Sequence, residues 1–181
     1  MTIPASAAAW FLPFVLPICV YVAFTDMREM RIKNHAVAAL AIVFVIIGLL
    51  ALRPWSAGWS TGSVGPLSLS LPVYAWQLLH IPFVLLVGIV LNAAGAMGAG
   101  DAKFCAAASA FIWTADFMIV MVILMSTTLG AVASHRLAKY TPLRQIAPHW
   151  ESWDRGKQFP MGLALAGSLI MYLILGIIYG S

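Results

Sequence analysis

The polar positions of this chain fall in short breaks between long apolar runs. Six runs stand out, covering about 7–25, 36–52, 74–95, 102–115, 117–134 and 159–179. Most approach the ~20 residues that a helix needs to cross a bilayer. The fourth is shorter, and either begins inside a glycine-rich stretch or lies in a thinner, wetter part of the protein. The pattern predicts an all-α, polytopic membrane protein with about six transmembrane helices. Residues 1–181 are expected to form a single membrane-embedded domain with no separate soluble domain. The stretch 53–73 is rich in Gly, Ser and Pro and carries Trp55 and Trp59. It is expected to be an irregular loop with aromatic anchors at the membrane interface. Pro13, Pro17, Pro72, Pro82 and Pro160 lie in or beside the apolar runs, where neighbouring helices can satisfy the carbonyls they free.

Composition sharpens this picture. The 181 residues are 62% hydrophobic and only 9% charged. A soluble domain of this size has no use for so much apolar surface, so the excess must face lipid. The net charge of +4 does not indicate nucleic-acid binding, because the basic residues form no stripe and belong to no soluble module. They act instead as orientation signals. Arg28, Arg31 and Lys33 follow the first run, Lys103 stands at the fourth, and Arg136, Lys139, Arg144, Arg155 and Lys157 lie between the fifth and sixth. With the N-terminus outside, all of these are cytoplasmic and only Arg53 is not. A cleavable secretory signal needs a basic start, and the first basic residue is Arg28. Cys19 and Cys105 lie inside apolar runs without a CxxC pair, which reads as packing rather than a zinc site.

The chemistry lies in the acids. The chain has six acidic residues, and two of them sit at the mouths of apolar runs: Asp26 after the first, Asp101 before the fourth. A carboxylate there is costly unless paired, hydrated or used. The charge map places both on the cytoplasmic side. Two carboxylates that share a proton can hydrolyse a peptide bond: the ionised one takes a proton from water and the protonated one polarises the carbonyl. Such chemistry requires no metal or cofactor. The alternatives are structural, with Asp26 paired to Arg28 or Arg31 and Asp101 capping a helix. Gly95, Gly98 and Gly100 before Asp101 either let helices pack closely or bare a backbone for an extended peptide. Asp116, in a turn on the outer side, is expected to be solvated, and Glu151 and Asp154 to be surface residues. His80 reads as a packed, hydrogen-bonded histidine, and Asn92 as a brace for the end of its helix.

The motifs add a resemblance. Asp26-Met27-Arg28-Glu29-Met30-Arg31-Ile32-Lys33-Asn34 resembles the first catalytic motif of type IV prepilin peptidases, with Lys33 where that family often has proline. Gly98-Ala99-Gly100-Asp101-Ala102-Lys103 is similar to its second motif, GxGDxK, and Phe159-Pro160-Met161-Gly162 to the start of its last helix. The resemblance implies an integral-membrane aspartic endopeptidase with Asp26 and Asp101 as the catalytic pair. Gly98 and Gly100 would shape the loop presenting Asp101, and Lys103, Arg28 and Asn34 would be supporting motif positions. It implies cleavage of a basic leader from a prepilin or pseudopilin substrate at the cytoplasmic face of a bacterial inner membrane. The N-terminal cysteine pairs of longer, bifunctional members are missing, so the chain resembles the short, peptidase-only kind found with Flp or tight-adherence pili. Two other readings use the same acids differently. One is a small proton- or cation-coupled transporter; the other is a non-enzymatic subunit of a pilus or secretion machine.

Overall fold

The computed structural model describes residues 1–56, 59–64, 67–155 and 158–181, and for 59–64 and 67–69 the backbone alone. Lys157 of the basic cluster and the Trp59 side chain fall outside the described parts. Among the described residues six α-helices follow one another: α1 (Ala5–Glu29), α2 (Asn34–Leu52), α3 (Val73–Ala93), α4 (Ala99–Ser109), α5 (Phe117–Tyr140) and α6 (Met161–Tyr179). Five of the six are long and apolar enough to cross a membrane. Trp10, Phe14, Val20, Phe83, Val90, Met118 and Leu129 stand among many large exposed apolar side chains. Only lipid makes such a surface favourable, and the chain is a multi-pass membrane protein.

α1 shows how the bundle forms. Phe11, Val15, Cys19, Val22 and Asp26 recur at three- and four-residue steps and are all buried, so they share one face of the helix. This face packs mainly against α6 and then α2. Asp26 is therefore the last position of a core stripe. The helix stops at Met30, whose φ of 51° puts it in the left-handed region and whose N–H bonds the Asp26 carbonyl at 2.9 Å. That turn sends the chain directly into α2.

The fourth helix is short, as expected. Its 11 residues rise about 16 Å, roughly half of the hydrocarbon thickness. It is also closely enclosed. Phe104 and Ala106–Ala108 are buried, and a Cβ on Gly88 of α3 would come within 2.8 Å of the Ala102 Cβ. Small residues bring α3 and α4 together at a distance that larger side chains would forbid. Next to α4, Phe11, Phe44 and Phe111 form a mutual cluster with ring centroids 5.0–5.6 Å apart.

Two expectations need correction. The stretch after α2 is not wholly irregular: Trp59–Val64 (β1) pairs antiparallel with Leu67–Pro72 (β2). The alternation Leu67-Ser68-Leu69-Ser70-Leu71 has the period of a strand, and the Gly/Ser/Pro composition obscures it. Asp116 is not solvated. It is 1% exposed, and its carboxylate accepts the Thr2 and Ile3 amides at 2.7 and 3.1 Å and the Tyr172 hydroxyl at 2.9 Å. It ties the start of the chain to α6 at the end of the bundle where Met1 meets Tyr179. Asp116→Ala would strand these three donors at about 1–3 kcal/mol each. Thermal unfolding in detergent is expected to show a loss of about 3 kcal/mol or more, with Asp116→Asn milder because it keeps an acceptor. An unchanged midpoint for the alanine variant would contradict this role.

Candidate active site

The C-terminus of α1 and the N-termini of α2, α4 and α6 meet at the other end of the bundle. They enclose an open cleft of about 690 Å³ lined by Asp26, Arg31, Asn34, Gly98, Gly100 and Asp101, among others. Asp26 and Asp101, remote in sequence, thus face one space. Asp26 is the more buried, at 5% exposed. Its Oδ2 accepts the backbone N–H of Gly162 at 2.7 Å. Gly162 is the second residue of α6, so the carboxylate sits at a helix N-terminus, where free amides and the helix dipole favour negative charge. Pairing with Arg28 is not what holds it. The Arg28 side chain is largely exposed and lies 4.0 Å from Glu29, which is in turn engaged by Lys33.

Asp101 occupies the first turn of α4, three residues after Gly98, the N-cap. The acid thus lies beside the free amides at the start of the helix, where they and the helix dipole favour a carboxylate. Asp101 is therefore not the N-cap that the structural alternative required; it is a first-turn residue that also lines the cleft. The glycines have specific reasons. A Cβ on Gly98 would lie 2.7 Å from Asp101 Oδ2, and one on Gly100 would lie 3.3 Å from the Ile32 Cβ. They make room for the carboxylate and for the α1–α2 turn. Of these three glycines Gly95, at φ +71°, is the one that needs glycine for its backbone conformation.

The other anticipated residues divide. Lys103 donates to Asn34 Oδ1 at 3.2 Å, joining the two motifs across the edge of the cleft. Arg28 is not brought to the cleft. Asn92 donates to the Met97 carbonyl at 2.8 Å and braces the end of α3. His80 is packed and bonded, its ring nitrogens 3.3 Å from the Ser109 carbonyl and 3.1 Å from the Thr114 hydroxyl. Glu151 and Asp154 are on the surface, as expected, and paired with Arg155 and Arg144. Gly162 and Phe159 are absent from the expected site. Phe159 lines the cleft, and a Cβ on Gly162 would lie 2.9 Å from both Cβ and Oδ2 of Asp26. The Pro160-x-Gly162 signal is visible in the sequence, but nothing there indicates that it folds onto Asp26.

Comparison with protein families finds that the model of the type IV leader peptidase family matches residues 13–134. Comparisons with curated proteins and with solved structures find no match. The matched residues contain both aspartates and stop short of α6.

Proposed function

Because the matched segment covers more than half of its length, the chain belongs to the type IV leader peptidase family, and we propose that it is an aspartic endopeptidase using Asp26 and Asp101 as its catalytic pair. The observation that carries this reading is the shared cleft: the two aspartates line one opening at one end of the bundle. In the proposed reaction the pair holds one proton between two carboxylates. The ionised member removes a proton from water as its oxygen attacks the scissile carbonyl carbon. The protonated member donates to the carbonyl oxygen. Collapse of the tetrahedral intermediate breaks the C–N bond, and a proton passes to the departing amine. The roles belong to the pair and not to either residue.

The substrate is a prepilin or pseudopilin, with Flp-type prepilins as the first candidates. Its basic leader would stay in water while the apolar helix behind it stays in lipid. The cleft would then face the cytoplasm of a bacterial inner membrane with the N-terminus of the chain outside, an orientation supported by Arg31, Lys33 and Lys103 at the cleft end. The residues form a single membrane-embedded peptidase domain. The test is co-expression with a Flp-type prepilin, following leader removal by gel shift and mass spectrometry. Shortening at the junction of leader and helix is the expected result. An intact prepilin, or normal shortening when Asp26 and Asp101 are both asparagine, would overturn the reading.

A further inference from the structure

Residues 141–155, between α5 and α6, fold over the cleft end of the bundle in two short 3₁₀ turns, Pro142–Ile146 and Glu151–Trp153. Their aromatic side chains continue a line of rings. Phe24 of α1 meets Trp150 edge-on at 5.8 Å. Trp150 stacks on Trp153 at 5.7 Å and 12°, and Trp153 on His135 of α5 at 4.9 Å and 20°. His135 then meets Phe159 edge-on at 5.7 Å. Phe159 precedes the fully buried Pro160 and the Gly162 amide that donates to Asp26. Asp26 lies two residues after Phe24, so the line returns to the helix on which it began.

We propose that this aromatic ladder sets the position of the α6 N-terminus, making Trp153 and His135 positioning residues for the hydrogen bond between Gly162 and Asp26. The inference rests on the catalytic role proposed for Asp26. Trp153 is 3% exposed and is further fixed by its Nε1–H, which donates to the Ala147 carbonyl at 2.8 Å. The ladder therefore has a rigid centre. Its end, Phe159, is also part of the cleft wall, so a displaced ring moves the wall and the amide together. His135 serves as a ring: its Nε2 is buried without a hydrogen-bond partner among the described residues. Misplacing a reacting group by about 1 Å can cost on the order of 10²-fold in rate, and a 2.7 Å hydrogen bond does not survive such a shift.

The experiment uses the full chain in lipid nanodiscs with two readouts. The first is single-turnover and steady-state cleavage of a prepilin. Trp153→Ala and His135→Ala are expected to lower kcat about tenfold or more with KM within about twofold. His135→Phe should recover most of that loss. The second needs no substrate: infrared spectra of protein with ¹³C-labelled aspartate, the Asp26 carboxyl band being the one lost in Asp26→Asn. Trp153→Ala is expected to shift this band and His135→Phe to leave it near its wild-type position. An unmoved band in Trp153→Ala, a loss confined to KM, or His135→Phe as impaired as His135→Ala would overturn the ladder. Failure of the wild-type chain to cut any prepilin would count against the peptidase reading instead, and the infrared result would still decide the ladder.

Discussion

Asp26→Asn is expected to abolish leader removal while leaving the chain folded. The side-chain amide oxygen of asparagine can still accept the Gly162 N–H now held at 2.7 Å, so the junction of α1 and α6 keeps its hydrogen bond. What is lost is the ability to take and give a proton. Asp101→Asn should behave alike, since asparagine has the same shape and keeps an acceptor oxygen in the first turn of α4. Positioned acid–base groups contribute about 10²–10⁴-fold each, and a pair acting as a unit is strongly non-additive. Each single variant is therefore expected to lose on the order of 10³-fold in kcat/KM, and the double variant little more. Asp116→Asn, at the opposite end of the bundle, should cut at close to the wild-type rate. Purified proteins assayed on one prepilin provide the comparison. A single asparagine variant retaining about a tenth of wild-type activity would remove that aspartate from the mechanism.

The second large effect comes from a methyl group. Gly162→Ala would place a Cβ 2.9 Å from the Asp26 Cβ and Oδ2 and 3.0 Å from its Cγ. These atoms lie close to the α1 backbone, so the contact cannot be relieved by swinging the end of a flexible chain. The α6 N-terminus must move away, taking its amide off the carboxylate. Overpacking of this kind costs about 1–3 kcal/mol, and the displaced amide should lower kcat by roughly 10²-fold. Gly167→Ala is the matched control, further along the same helix. Nothing lies within 4 Å of the point where its added methyl would sit, and replacing glycine by alanine inside a helix is favourable by up to about 1 kcal/mol. That variant should keep full activity and unfold slightly later. Equal activities for the two variants would show that the close approach of Gly162 to Asp26 is not needed for cleavage.

Much of this arrangement is legible in the chain before it folds. The six apolar runs correspond to the six helices, with boundaries displaced where polar residues extend a helix: α5 runs on through His135, Arg136 and Lys139. Asp26 and Asp101 stand out because few side chains in such a chain are charged. Asp116 escapes a local reading for an instructive reason. A turn residue between two apolar segments is ordinarily wet, and nothing near it in sequence reveals that Thr2, Ile3 and Tyr172 converge on it. The paired strands are hidden because their composition points to a loop while their alternation points to a sheet.

Which segments enter the membrane, and which end of each helix carries charge, follows from the amino-acid pattern alone. The transfer of apolar and charged groups between water and lipid depends on local composition and periodicity. The membership of both aspartates in recognisable motifs is equally local. What holds Asp26 is a matter of packing. Its partner is a backbone amide on the last helix, outside the family-matched residues, brought there because the stripe ending in Asp26 packs along α6. A backbone N–H is the same in every residue except proline, so nothing in the pattern of side chains marks one as a partner until the fold sets it against a carboxylate.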